Sequence, residues 1–340
     1  MPQATHQRVK TLVYLDFHMT QPDLFGPETF PPPNPEIVEL AEGIPPAIRF
    51  GTSTWTYDGW FGDVYHRRYR GPQPAQRLEE YARYPLFRTV GIDSAFYDPP
   101  SEDELASYAR ALPPGFPCVS KVWERITAKR FGQDAPQPGL AGMRNPDFLN
   151  AALFKENVLG PYSRVFRDHA GSFVFEFQAM RGKDLPDPIK WADQLDDFFK
   201  ELPRDFRYAV ELRNPELLTG VHGEVLKRHR VAHVFNSWTE MPSIGEQIDM
   251  GWTFPASFTV ARALLKPGRR YSDAVKQFQP YDRVQEPLAE LRKDLLRLVS
   301  EAHRRRVEAF ILANNRAEGN APGTIRAVAR KWLEGDAESH

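Results

Sequence analysis

From Ile48 onward the chain alternates between short β-branched or aromatic runs that end in polar residues and longer amphipathic stretches. That alternation is the signature of repeated βα units. Eight runs read as strands: Ile48 to Trp55, Arg88 to Tyr97, Pro117 to Trp123, Ser172 to Gln178, Arg207 to Arg213, Ala232 to Trp238, Ser257 to Leu264 and Glu308 to Asn315. Helical patterns lie between them at Gln76 to Tyr84, Ser101 to Ala111, Ile189 to Leu202, Pro215 to Arg228 and Glu286 to Arg305. Several of these begin at a capping Ser or Asp, or with an early proline. An open doubly wound sheet normally carries a glycine-rich phosphate loop, and neither GxGxxG nor a Walker motif is present. The expected fold is therefore an α/β class (β/α)8 barrel of the TIM type over residues 48–335.

The first 47 residues differ. Pro31, Pro32, Pro33 and Pro35 cluster, Pro45 and Pro46 follow, and only Ile37 to Leu40 offers an apolar patch, so this segment reads as an extended N-terminal arm. Met1 and Met19 both qualify as the start. The connection from Glu124 to Gly171 is too long for an ordinary βα loop, carries a helical pattern at Pro146 to Phe154, and is expected to cap the barrel mouth.

Charge excludes some functions. Lysine plus arginine is 44 and aspartate plus glutamate 45, a net charge of −1, which argues against strong direct nucleic-acid binding through bulk charge. No apolar run is long enough to span a membrane and no secretory pattern opens the chain. The single cysteine, Cys118, permits no intramolecular disulfide and fits a reducing cytoplasm. It sits in an apolar strand and reads as packing.

In such a barrel, chemistry sits at the C-terminal ends of the strands. The polar residues closing the runs are Ser53 and Trp55, Asp93, Lys121, Glu176 and Gln178, Glu211 and Arg213, Asn236, Arg262, and Asn314 with Asn315. Strand alternation in AVELR puts Ala209, Glu211 and Arg213 on one face and Val210 and Leu212 on the other, so the two charges point into the barrel. They form either a pre-organised site or a structural ion network. Lys121 reads as an anion-pairing cation, or less simply as a Schiff-base lysine. Glu176 and Glu211, on adjacent strands, also suggest a glycosidase-like carboxylate pair. Trp55, Tyr57, Trp60, Phe96 and Tyr97 make either an aromatic wall for a ligand or core. Asn314 and Asn315 precede the N-terminus of the last helix near Pro322, where backbone N–H groups can meet a phosphate. No histidine closes a strand and no HExxH occurs, so neither a transition metal nor a cofactor is assigned.

The segments RFGTSTWTYDGWFG (Arg49 to Gly62), TVGIDSAFYDPPSEDEL (Thr89 to Leu105), VSKVWERIT (Val119 to Thr127), AVELRNPELL (Ala209 to Leu218) and LANNRAEGNAP (Leu312 to Pro322) together resemble the YecE-like, or DUF72, family. The resemblance covers nearly everything after Ile48 and implies a TIM-type barrel without implying a reaction. The chain departs from the family pattern at Gly91, Asp93 and Ala95 on the second strand, where Glu, Asn and Thr are usual. Ala128 and Asn214 stand where histidines are usual and Glu176 where Gln is usual. TVARALL keeps Arg262 and loses the His-Gly that normally follows.

Two functions are expected to compete. In the first, the barrel is an enzyme, a hydrolase, isomerase or lyase, acting on a small anionic substrate such as a phosphorylated sugar or nucleotide fragment. Arg213, Arg262 and Lys121 hold the anion, Glu211 or Asp93 is general base, Asn314 and Asn315 orient hydroxyls, and Trp55 and Tyr97 flank the ligand. In the second, the barrel is a non-catalytic adaptor. Its arm would dock on a sliding clamp through Gln21, Asp23, Leu24 and Phe25, whose spacing is similar to the short clamp-binding peptides of bacterial replication and repair proteins.

Overall fold

The computed structural model describes residues 30–132 and 139–337. The peptide Gln21 to Phe25 and the rest of the first 29 residues lie outside the described residues. All eight expected strands are present: β1 (Ile48–Thr52), β2 (Val90–Ile92), β3 (Cys118–Lys121), β4 (Ala170–Phe177), β5 (Tyr208–Leu212), β6 (Ala232–Asn236), β7 (Phe258–Ala263) and β8 (Glu308–Ala313). All are parallel, in the order β1-β8-β7-β6-β5-β4-β3-β2. Around them run α1 (Pro35–Glu42), α2 (Pro74–Tyr81), α3 (Glu102–Ala111), α4 (Glu124–Thr127), α5 (Ala151–Phe154), α6 (Gly160–Val165) and α7 (Pro188–Lys200). They continue with α8 (Gly220–His229), α9 (Ile244–Asp249), α10 (Tyr271–Phe278), α11 (Ala289–Arg305), α12 (Asn315–Glu318) and α13 (Ala321–Ala337).

The seam between β1 and β2 closes without a regular ladder. The Arg88 N–H donates to the Phe50 carbonyl (2.8 Å), and the Tyr81 hydroxyl at the end of α2 bridges the two edges. It accepts from the Thr52 N–H (2.9 Å) and donates to the Thr89 carbonyl (3.0 Å). A phenol thus satisfies backbone groups that a closed barrel would otherwise pair directly. The approach is close enough to require glycine: a Cβ at Gly51 would lie 2.1 Å from the Thr89 oxygen, and one at Gly91 2.6 Å from the Ser53 oxygen.

Strand alternation sorts two apolar layers. Val119, Val174, Ala209, Val234, Val260 and Phe310 fill the barrel interior, while Phe173, Phe175, Phe177, Val210 and Leu212 join the larger core beneath the helices. Two residues further along the interior rows stand Lys121, Glu176, Glu211, Asn236 and Arg262, so polarity changes abruptly from an apolar plug to a charged mouth.

Two expectations need correction. Residues 34–47 are not extended: Asn34 caps α1 by accepting from the Glu36 N–H (3.0 Å), and Pro35 takes the first helical turn, where a missing N–H costs nothing. The patch at Ile37 to Leu40 is the apolar face of this helix, burying Ile37, Leu40 and Ala41. The helix expected from Pro146 begins only at Ala151, after Asn150 caps it, and continues through a π turn at Lys155–Leu159 into α6. Phe154 packs on Phe173 and Phe175, so residues 151–165 are an outer helix of the barrel and not a lid. Arg125 pairs with Asp147 (2.6 Å) and Arg130 with Asp184 (2.8 Å), which ties the segment after β3 to the loop after β4.

Candidate functional site

Six charged side chains from four strand ends and the turn after β2 meet at the mouth. Arg262, on β7, lies at the centre. Its Nη1 donates to Glu176 Oε2 (2.7 Å) and Glu211 Oε2 (2.6 Å), and its Nη2 to Asp93 Oδ2 (2.7 Å). Arg213, one residue past β5, reaches Glu176 (3.0 Å) and Glu211 (2.5 Å), and Lys121, closing β3, reaches Glu176 (3.0 Å). Two aromatic faces complete the enclosure: Lys121 Nζ stands 4.1 Å above the Phe96 ring and the Arg213 guanidinium 4.0 Å above Trp238. Cation–π contact of this kind compensates part of the lost hydration.

The charges balance, three cations against three carboxylates. Burial alone would raise the Glu176 carboxyl, but Lys121, Arg213 and Arg262 together hold it well below the usual carboxylate range. Arg262 is pushed well above its ordinary value despite burial, by Asp93, Glu211 and Glu176. The three carboxylates differ in access. Side-chain exposure is 0% for Glu211, 9% for Glu176 and 23% for Asp93, and Asp93 Oδ1 accepts no hydrogen bond from the described residues. Glu176 and Glu211 are register partners on β4 and β5 and share two arginines, so they face each other through cations and not across a gap for a sugar bond. Lys121 is a paired ammonium, which disfavours it as a free amine nucleophile.

The expected residues divide. Asp93, Lys121, Glu211, Arg213 and Arg262 come together, and Tyr97 stands at the rim, 63% exposed, with its carbonyl accepting from Trp123 Nε1 (3.1 Å). Trp55 does not join them. Its strand ends at Thr52, its Nε1 donates to the Pro74 carbonyl (2.8 Å), and its ring meets Tyr108 edge-on inside the core. Trp60 is likewise fully buried. Asn314 and Asn315 are caps: Asn314 Oδ1 accepts from the Arg316 N–H (3.0 Å), and Asn315 Oδ1 from the Ala321 N–H that opens α13 (2.7 Å). Asn320 takes the Gly323 N–H (2.7 Å). The donors of that helix end are thus occupied by its own side chains, so the phosphate expected there has no free N–H to meet at these positions.

Sequence reasoning missed four residues. Trp238, two residues past β6, lies under the Arg213 guanidinium. Tyr271 and Tyr281 arrive on the segment between β7 and α11, where Leu265, Ala274, Phe278 and Tyr281 form a small core against Tyr57 and Trp238. Its length, like that of the segment after β3, was the available signal. Arg316, in the turn after β8, lies with its guanidinium 4.2 Å from the centre of the Tyr271 ring. Burial pushes the Tyr57 phenol up to about 12, against the pull of the Arg316 charge and reinforced by Asp93. A separate cleft of about 410 Å3, lined by Met180, Arg181, Asn214, Glu216 and Glu240, opens between the loops after β4, β5 and β6. Asn214 is fixed there by Met180, whose N–H it accepts (2.7 Å) and to whose carbonyl it donates (3.1 Å).

Among the described residues no group of three or more His, Cys, Asp or Glu is arranged to hold a metal ion, and no helix is long and apolar enough to cross a membrane. No curated protein matches the chain. Among solved structures it is similar to a DUF72 family protein of Thermotoga maritima MSB8, at 18% identity and a TM-score of 0.55, over 84% of this chain and 98% of that one. It is also similar to a DUF72 family protein of Enterococcus faecalis V583, at 15% identity and a TM-score of 0.56, over 84% and 94%. These likenesses establish the TIM-type barrel. The family described as "Protein of unknown function DUF72" matches residues 49–338, and the chain therefore belongs to the DUF72 family.

Proposed function

We propose that the barrel is an enzyme performing acid–base chemistry on a small polar anionic substrate, such as a phosphorylated sugar or nucleotide fragment, at the C-terminal mouth. One observation carries this reading: a neutral, six-member charge cluster, buried at the strand ends, whose most exposed carboxylate, Asp93, keeps an oxygen to which no described residue donates. Fixing so many charges in a desolvated mouth is costly, and pre-organisation for a reaction is the return that this fold usually obtains. Asp93 is the general base, because it is the accessible carboxylate and Arg262 holds its orientation. Glu211, fully enclosed, is a positioning residue for Arg213 and Arg262. Lys121 and Arg213 keep Glu176 ionised and line the floor with donors. Their charges being matched within the cluster, the anion grip assigned to them from sequence falls to another group at the rim. The adaptor reading rests on Gln21 to Phe25, which lie outside the described residues.

The test is a panel of sugar phosphates and nucleotides incubated with the full chain and followed by phosphorus and proton NMR. At least one compound is expected to change with wild type and to change about a hundredfold or more slowly with Asp93→Asn, the usual scale for losing a general base. Equal rates in the two proteins, or no conversion anywhere in the panel, would overturn the assignment.

A further inference from the structure

Charge and hydrogen-bond accounting at the rim leaves one cation over. Arg316 has no carboxylate within ion-pair distance among the described residues, yet it is partly buried, and its Nε is buried without a hydrogen-bond partner. Its Nη1 donates to Asn314 Oδ1 (3.3 Å), and its guanidinium also lies against the Tyr281 phenol oxygen. Beside it, the Tyr281 hydroxyl is also buried without an acceptor. The Tyr281 ring lies 5.3 Å from the Tyr57 ring at a steep angle, and Tyr271 covers the guanidinium face. An unpaired guanidinium and two unmet donors, one on Arg316 and one on Tyr281, are costly in a desolvated place unless an acceptor arrives with a ligand.

We propose that Arg316, with Tyr57, Tyr271 and Tyr281, forms the subsite for the phosphoryl group of the substrate. This deepens the acid–base reading and rests on it. A phosphoryl group supplies three terminal oxygens and about two negative charges, enough for the arginine fork and for phenol donors from more than one direction, whereas a carboxylate has two oxygens and one charge. Arginine suits this use because its planar donors match phosphate in pairs. The phenols stay protonated and therefore donate: burial raises both Tyr57 and Tyr281 even with Arg316 pulling them down. The Tyr57 phenol, whose ring lies 5.3 Å from that of Tyr281, feels the charges of both Arg316 and Asp93. A phosphoryl group seated here places the rest of a small substrate over the Asp93 oxygen.

Isothermal titration of the full chain with inorganic phosphate, glycerol phosphate and acetate tests the subsite. Both phosphates are expected to bind at millimolar concentration or below, the ester more tightly than the free ion, and acetate roughly tenfold more weakly. Arg316→Gln is expected to weaken phosphate binding by about tenfold or more, with Arg316→Lys intermediate and Tyr281→Phe a few-fold weaker. Should Arg316→Gln fail to fold, Arg316→Lys and Tyr281→Phe decide the matter. Wild-type affinity in those variants, an ester no tighter than phosphate, or no binding at millimolar phosphate would overturn the subsite. The two readings fail separately. Phosphate held by Arg316 without turnover of any panel compound sinks the acid–base assignment alone, whereas turnover with an unchanged KM in Arg316→Gln sinks the subsite alone.

Discussion

Glu211→Ala is expected to lower the unfolding free energy by about 3–5 kcal/mol, the usual cost of removing one partner from a buried ion pair. Glu211 is fully enclosed, and its two oxygens hold Arg213 (2.5 Å) and Arg262 (2.6 Å). Without it the cluster carries three cations against two carboxylates, and Arg213 and Arg262 are too deeply buried for solvent to screen the excess well. The loss comes less from a broken bond than from charges left uncompensated in a medium where they interact strongly. Chemical denaturation checks the size of the effect. Replacing Glu211 by Gln keeps shape and one acceptor and is expected to cost less than Ala while still destabilising. A variant as stable as wild type would mean that Arg213 and Arg262 do not depend on this carboxylate.

Acidification is expected to destabilise the protein by roughly 4 kcal/mol between pH 7 and pH 5, through two buried histidines. His222 and His233 are both fully enclosed, and burial depresses His222 from 6.5 to about 3 and His233 to about 4, the former with help from its neighbour's charge. Both stay neutral in the folded protein at pH 5, while the unfolded chain takes up protons on both below about 6.5. The unfolded state then binds more protons, so stability falls as pH drops through that window. Among the described residues His222 has no hydrogen-bond partner on either ring nitrogen, and it packs edge-on against Trp252 (5.7 Å), while His233 Nε2 meets Gln247 Oε1 (3.1 Å). Urea unfolding at pH 7 and pH 5 measures the difference. His222→Leu is expected to remove about half of it, since each histidine contributes a similar share, and an unchanged pH dependence would assign the effect to other groups.

What could be read from the amino-acid order follows a physical division. AVELR revealed which face Glu211 and Arg213 occupy because strand alternation is local and has a period of two. It could not reveal that Arg262 joins Asp93, Glu176 and Glu211, because those contacts span 169, 86 and 51 residues of chain. Trp55 misled for a local reason: the strand stops at Thr52, three residues before the aromatic run suggested. Asn314 and Asn315 were recognised as strand-end polar groups, but the same side-chain chemistry serves a ligand or a helix cap, and here the backbone N–H groups of Arg316 and Ala321 claim it. Arg316 escaped notice because its significance lies in having no carboxylate within ion-pair distance among the described residues, a property of tertiary placement. Residues 34–42 depart from the expected extended arm for a readable reason, since Asn34 followed by Pro35 is a helix-start pattern.

On the proposed reading, the mouth between Asp93 and Arg316 receives a phosphorylated ligand. A crystal structure of the full chain soaked with glycerol phosphate tests it most directly. The phosphoryl oxygens are expected within hydrogen-bond distance of Arg316 and the Tyr281 hydroxyl, with the glycerol hydroxyls turned toward Asp93. An ester bound elsewhere while Arg316 and Tyr281 remain without acceptors would contradict it.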